Sequence, residues 1–340
     1  MKQNGFRVMS TTFMVAALSA LLLACGNSST NGSGDGGTTA AATSNDSQAA
    51  AENTGHEEVA EADNTSETKK FKDWTGHEVE VPTHPQRVIY HGEVTGDLLV
   101  LGLVPVGILK NEGTVYDDQV ADAEDVGFPI SVEKSLSLNP DLIIFSNDDE
   151  TQYEQISKVA PTVTFNSFWP LEERMRFLGD LLGKKQEAED WLAAHAKATE
   201  EMWDHLRANG LKEDETASVF TMYPGNRLFV MAGAGLPQLL YGPGGMKPTP
   251  EIQKVLDEEV GFVEISQEKM AEFAGDRIFI LNAVDQGAQQ STEELMNSVV
   301  WNNLPAVKEG KVYRFDIVKA SSDATSREWL LQELPKQMIQ

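Results

Sequence analysis

Residues 186–207 constrain this chain more than any other stretch. Trp191, Leu192, His195, Ala198, Met202 and Leu206 recur there at three- and four-residue spacing, and Asn209-Gly210 closes the run. A helix of roughly 22 residues spans about 33 Å, the width of a small domain. A shorter helical stretch, 171–182, precedes it and stops at Gly183. On either side the pattern changes to short apolar strands separated by helical segments. Strands are expected at 85–91, 104–109, 141–145 and 162–165, and again at 217–222, 227–231, 277–281 and 312–315. Residues 71–82 (FKDWTGHEVEVP) alternate around Thr75-Gly76 as a small hairpin does, and 325–338 end the chain as a helix. Strands that alternate with helices build largely parallel sheets. The expected fold is therefore α/β: an N-terminal α/β lobe at 71–168, interlobe helices at 169–209, and a C-terminal α/β lobe at 210–340, the two lobes joined by a single long interlobe helix.

The chain before residue 71 has a different character. Lys2 and Arg7 precede an apolar run too short and too early for an ordinary membrane span, which marks 1–24 as a signal peptide. The run ends in Leu22-Leu23-Ala24-Cys25-Gly26, which resembles a bacterial lipobox. That resemblance implies cleavage before Cys25 and acylation of its thiol, with palmitate-like chains that hold the protein on the extracytoplasmic face of the cell membrane. Cys25 is the only cysteine, so no disulfide can form within the chain. Residues 25–70 read as the lipidated cysteine and a disordered tether with a root-mean-square span of about 35–40 Å. The net charge is −26, and residues 26–68 hold eight acidic side chains with no Lys or Arg. The remainder is also acidic and offers no basic stripe, which argues against nucleic-acid binding.

One pattern is written twice. Residues 133–147 (EKSLSLNPDLIIFSN) and 268–282 (EKMAEFAGDRIFILN) each open with Glu-Lys, place an Asp eight residues after the Glu, and close on an Asn six residues later. Around these copies lie Pro85-Gln86-Arg87-Val88-Ile89, 97–107 (DLLVLGLVPVG), 138–144 (LNPDLII), Ala160-Pro161-Thr162, 274–279 (AGDRIF) and 301–312 (WNNLPAVKEGKV). In order and spacing, over about 260 residues, these resemble the iron-siderophore and cobalamin class of solute-binding proteins of ABC importers. The resemblance implies two lobes bridged by a rigid helix, a monomer with no enzymatic activity and no cofactor, and a ferric siderophore as cargo. It implies a permease dimer with its ATPase as partner. It also implies that Glu133 and Glu268, one per lobe, engage arginines of the two permease subunits. The plainer alternative is that both are acids favoured at helix N-termini. Lys134, Lys269, Asp141 and Asp276 read as helix-surface and strand-start residues.

In parallel lobes a ligand approaches the carboxyl ends of the strands. The candidates there are Tyr90, His91, Lys110, Asn147 and Trp169 in the first lobe and Tyr223, Arg227, Asn282 and Lys319 in the second. Arg174, at the start of the interlobe helices, is a further candidate. A ferric chelate would be held by charge, aromatic walls and amide groups, with no protein atom on the iron. Hydroxamate-binding members of the class often carry Trp and Arg where this chain has Ala232-Gly233-Ala234-Gly235-Leu236-Pro237, and aromatics where it has Lys319-Ala320-Ser321-Ser322. The resemblance therefore leaves catecholate, citrate, haem or cobalamin cargo open beside hydroxamates. A direct zinc- or manganese-binding lipoprotein is the alternative within transport, and a surface adhesin or receptor ectodomain the alternative outside it. No phosphate loop, nucleophile elbow or HExxH is present, and the six histidines do not cluster. His195 is expected as a packed core residue.

Overall fold

The computed structural model describes residues 67–339, all within one unit spanning 63–340. The expected signal peptide, Cys25 and most of the tether lie outside the described residues.

The hairpin forms from β1 (Thr68–Lys72) and β2 (Glu78–Pro82), with Phe71 opposite Val79. It begins at Thr68, so residues 68–70 belong to the fold and not to the tether. Thr68 and Lys70 are exposed, and an outward polar strand carries no apolar signature in sequence. Asp73 secures the turn: Oδ1 accepts from the amides of Gly76 (2.8 Å) and His77 (2.7 Å), and Oδ2 accepts from the amide of Thr164 (2.9 Å).

The first lobe is a five-stranded sheet. It contains β3 (Val88–His91), β4 (Gly107–Ile108), β5 (Glu124–Asp125), β6 (Leu142–Phe145) and β7 (Thr162–Thr164), in the order β5-β4-β3-β6-β7 with every pair parallel. Both faces are covered, which is why β3, β6 and β7 are buried throughout. Val88, Tyr90, Leu142 and Ile144 point into one core, and Ile89, Ile143 and Phe145 into the other.

The second lobe uses β8 (Thr216–Tyr223), β9 (Arg227–Met231), β10 (Lys247–Pro248), β11 (Phe262–Ile265), β12 (Arg277–Asn282) and β13 (Val312–Asp316), in the order β11-β9-β8-β12-β13 with β10 beside β8. β8, β12 and β13 are parallel, while β9 returns as a hairpin from β8 and β11 pairs antiparallel with it. The β8–β9 turn puts Gly225 and Asn226 at φ of +83° and +60°, a left-handed geometry that those residue types tolerate.

The helix Lys185–Ala208 makes the covalent crossing over 24 residues, or about 36 Å. Ala188 and Leu192 near its start lie in the first lobe's core, and Met202, Trp203 and Leu206 near its end lie in the second's. The preceding helix, Leu171–Leu181, does not bridge; Leu171, Met175, Leu178 and Leu181 all belong to the first core. A brace not legible in the sequence comes from the C-terminal helix Ala324–Met338: Ala324 is seated in the first core, and Leu330 and Leu334 in the second. A Cβ on Gly96 would run into Asp323 and Thr325, so a glycine is what lets this helix start dock against the first lobe.

At that junction Arg174 Nε meets Asp97 Oδ2 at 2.7 Å, with both side chains fully buried. Asp97 Oδ1 accepts from the Ala324 amide (2.8 Å), and Arg174 donates to the carbonyls of Trp169 (2.9 Å) and Ser322 (2.7 Å). Removing one member leaves the other charge buried without a partner. Asp97→Ala is expected to cost about 3–5 kcal/mol in urea unfolding, and Asp97→Ala with Arg174→Leu to recover much of that loss. A single variant as stable as wild type would contradict the role assigned to the pair.

Candidate functional site

The parallel strands set where the lobes face each other. In the first lobe His91, Phe145 and Thr164 stand at adjacent carboxyl ends; in the second, Asn282 is paired with Asp316 and Tyr223 closes β8. The segment after β13 crosses to residues following β3, because Ser322 and Ala324 bond to Arg174 and Asp97. Carboxyl ends of both sheets are thereby gathered at the junction of the lobes.

Four of the ten sequence candidates are turned inward there. Tyr90 is fully buried, and its hydroxyl accepts from the Val94 amide at 3.2 Å. His91 is buried beside Phe128 and Phe145 with Nε2 3.0 Å from the Gly127 carbonyl, and burial pushes its pKa down. Trp169 packs edge-on against Trp74, Phe165 and Phe177. Arg174 is the interlobe clasp described above and does not reach a ligand surface. A parallel strand covered on both faces buries its last residues too, and this is what strand-end reasoning overlooked. Asn147 accepts from the Asp149 amide, Asn282 from Arg314, and Arg227 pairs with Glu264 at 2.7 Å while lying over the Phe229 ring. Tyr223 is half-buried, edge-on to Phe229. Lys110 and Lys319 are exposed.

The two copies of the repeated pattern occupy equivalent places. In each lobe the chain leaves an edge strand, β5 or β11, passes a short helical segment, and enters the fourth strand of the sheet, β6 or β12. Asp141 accepts from the amides of Gln86 (2.7 Å) and Arg87 (2.9 Å) just before β3, and Asp276 from the Thr216 amide (2.8 Å) at the start of β8. Each Asp thus pins the start of the central strand. Glu133 sits in the first turn of the helix Val132–Ser137, whose cap is Ser131, and Glu268 in the 3-10 turn Gln267–Lys269. Both are exposed, with no ion-pair partner among the described residues.

A groove of about 1240 Å³ is lined by both lobes. Phe168, Pro170 and Glu172 line it from the first lobe, and Gly233, Ala234 and Phe262 from the second, while Ala193, Ala196 and Thr199 of the long helix form its floor. None of the ten candidates lines it. Small residues are among its lining, Ala193 and Ala196 on the helix and Gly233 and Ala234 in the loop. That alanine face is the sequence signal that would have pointed there. Phe168 is 74% exposed and Phe262 46%, which gives the mouth apolar lips. His195 lies in this wall, stacked on Trp191 at 4.8 Å, and is not the core residue the sequence led us to expect.

Two α/β lobes held at fixed spacing around a groove that both of them line are the architecture of a solute-binding protein. The chain belongs to the family described as Periplasmic binding protein, whose model matches residues 88–317. It is 29% identical over 259 residues to the iron(3+)-hydroxamate-binding protein YxeB of Bacillus subtilis, covering 74% of this chain and 79% of that one. It is also 29% identical over 324 residues to the iron(3+)-hydroxamate-binding protein FhuD of the same organism, covering 92% and 91%. Among solved structures, Staphylococcus aureus SirA complexed with staphyloferrin B matches with a TM-score of 0.71 at 26% identity, over 79% of this chain and 98% of that one. Staphylococcus aureus FhuD2 with bound ferrioxamine B matches with a TM-score of 0.65 at 25% identity, over 74% and 98%.

Burial first, and the nearby Arg327 charge second, hold the His195 pKa at about 4, below its usual 6.5. Between those values the unfolded chain binds a proton that the folded chain refuses, so stability falls as pH drops through that window and levels off below it. After allowance for partial exposure, His195 should account for about 2–3 kcal/mol of the loss between pH 7 and pH 4. Urea midpoints of His195→Gln should therefore fall less steeply with pH than those of wild type; parallel profiles would refute the assignment.

Proposed function

We propose that this chain is the extracytoplasmic receptor of an ABC importer, which captures a ferric siderophore between its lobes and delivers it to the permease dimer and its ATPase. The observation that carries this reading is the groove lined by both lobes, in a chain of the same family as iron-hydroxamate-binding proteins. It acts as a monomeric binding protein without catalysis, and acylated Cys25 anchors it to the cell membrane. The cargo brings its own iron coordination. Direct zinc or manganese capture, the alternative, would need several His and carboxylate side chains to converge on one point.

The charge of the groove favours one class of chelate. Arg176 pairs with Glu189 and Arg207 with Asp204, which leaves Glu172, Glu200 and Glu259 against Arg327 alone. An acidic wall repels a multiply anionic catecholate complex and accepts a neutral or cationic ferric hydroxamate. Exposed Phe168 and Phe262 supply apolar contact for the ligand's methylene arms.

Tryptophan quenching tests this, because Trp191 stacks on His195 in the groove wall. Ferrioxamine B should quench at sub-micromolar concentration, with a ferric catecholate at least about tenfold weaker. Tight quenching by zinc alone, or by haem or cobalamin alone, would sink the reading.

Docking is read from the matched glutamates. Two carboxylates at a spacing fixed by the long helix suit two equivalent basic sockets on a permease dimer, where such pairs mainly set orientation and association rate. Glu133→Ala with Glu268→Ala should keep ferrioxamine B affinity within about twofold while iron uptake by cells drops at least about tenfold. Uptake at the wild-type rate would remove the docking role and leave the binding role standing.

A further inference from the structure

The two acids read as docking contacts stand at different places relative to the groove. In the first lobe the residues that line it, Phe168, Pro170 and Glu172 among them, follow β7, while Glu133 lies beyond β5. Those strands are the opposite edges of the sheet, four inter-strand steps or about 19 Å apart. Glu133 is also fixed locally: Ser131 caps its helix, and Lys134 Nζ donates to the Asp125 carbonyl at 2.6 Å.

In the second lobe groove and acid share one edge. Ala232, Gly233 and Ala234 follow β9 and Phe262 opens β11, and all four line the groove. The wall there is a single hydrogen-bonded unit, because the amides of Ala232 and Gly233 both donate to the Gly261 carbonyl at 2.9 Å. From Phe262 the strand runs four residues, about 13 Å, to Ile265, and the turn Gln267–Lys269 that carries Glu268 begins two residues later. That turn has no side-chain cap, so its position is inherited from β11.

β11 is an edge strand, paired with β9 alone. Its outward side chains reinforce that pairing. Glu264 makes a two-pronged contact with Arg227 (Nε to Oε1 3.0 Å, Nη2 to Oε2 2.7 Å), and Phe262 packs edge-on against Phe229 with centroids 6.0 Å apart. A strand bonded on one side has less to hold it than one bonded on two, and this one is tied to the groove wall.

We propose that Glu268 is the occupancy-dependent docking contact and Glu133 the constant one: a chelate seated against Gly261 and Phe262 settles β11 in the position that presents Glu268 to its socket on the permease. This rests on the reading of the groove as the chelate site and of the two acids as docking contacts. A ligand shifts an element only through differential contact with that element's two positions. Gly261 and Phe262 supply such contact in the second lobe, whereas no residue of β5 or of the helix Val132–Ser137 lines the groove. Linkage makes the effect reciprocal, so the permease must raise chelate affinity by the factor by which the chelate raises permease affinity.

The test measures docking of the full chain on the reconstituted importer, permease dimer with ATPase, with and without ferrioxamine B. Loaded wild type should dock about five- to tenfold more tightly than empty. Glu268→Ala should weaken the loaded form and bring that ratio to within about 1.5-fold of unity, while Glu133→Ala weakens both forms and keeps the ratio. Arg227→Glu, outside the groove, repels Glu264 and should lower the ratio at least about twofold, with restoration by Arg227→Glu combined with Glu264→Arg. Ferrioxamine B affinity of the isolated Arg227→Glu receptor should stay within about twofold of wild type, which separates the route through β11 from damage to the groove. A wild-type ratio of one, equal ratios in Glu268→Ala and Glu133→Ala, or a ratio indifferent to Arg227→Glu overturns the inference and leaves capture and docking standing. A receptor that binds ferrioxamine B but docks in neither form fells the docking reading as well, and one that does not bind ferrioxamine B fells the receptor reading.

Discussion

Asp97 and Arg174 meet at 2.7 Å with water excluded from both, and the geometry of the two lobes depends on that contact. The pair lies in the first lobe, and part of its remaining hydrogen-bonding capacity reaches the C-terminal segment: Asp97 accepts the first amide of the C-terminal helix, and Arg174 holds the Ser322 carbonyl besides that of Trp169. Desolvating two charges is unfavourable unless their other lone pairs and protons are also satisfied. Here two of the satisfying groups come from a segment more than 200 residues downstream of Asp97, so the pair is fully satisfied only when that segment is docked. A hydrophobic junction of equal size would hold the lobes together without specifying their angle.

The long helix and the C-terminal helix turn that local contact into rigidity. Each is anchored in both cores, so opening the lobes would require two struts to bend or to withdraw apolar side chains from a packed interior. The groove inherits its width from this frame. Small side chains, those of Ala193, Ala196 and Ala234, are among its lining. A frame of this kind favours a preformed surface over large hinge closure.

Much of this was legible in sequence because periodicity reports backbone class. The 3.6-residue pattern in 186–207 and the strands expected at 85–91, 141–145 and 277–281 correspond, within a few residues at their ends, to the long helix Lys185–Ala208 and to β3, β6 and β12. What periodicity does not report is which partner a side chain finds. Arg174 and Asp97 look like any helix-borne charges until the fold buries them against each other. Tyr90 and His91 stand at the end of a strand, but that strand is covered on both sides. His195 fits a helix's apolar stripe, yet its neighbours are short enough to leave it facing a groove. Loops carry still less signal: the AGAG segment announces flexibility and says nothing of the space it opens. The residues with function are those whose environment is tertiary, and a single chain without coordinates does not encode that environment locally.

The duplicated pattern shows how position, and not motif identity, carries meaning. In both lobes the copy spans the same crossover, from the sheet edge past two strands to the fourth, so its members acquire matched roles without matched neighbours. The Asp of each copy pins the start of the central strand through backbone amides, a task that depends on local register alone and is common to both. The Glu of each copy has no task inside its own lobe that the described structure reveals. An exposed carboxylate that repeats at equivalent positions on two lobes of fixed separation is defined by the spacing between the copies, not by its surroundings. That spacing is set by the long helix and the Asp97–Arg174 junction. The frame that carries the groove therefore also sets how far apart the two surface acids stand, which couples the proposed capture site and the proposed docking face.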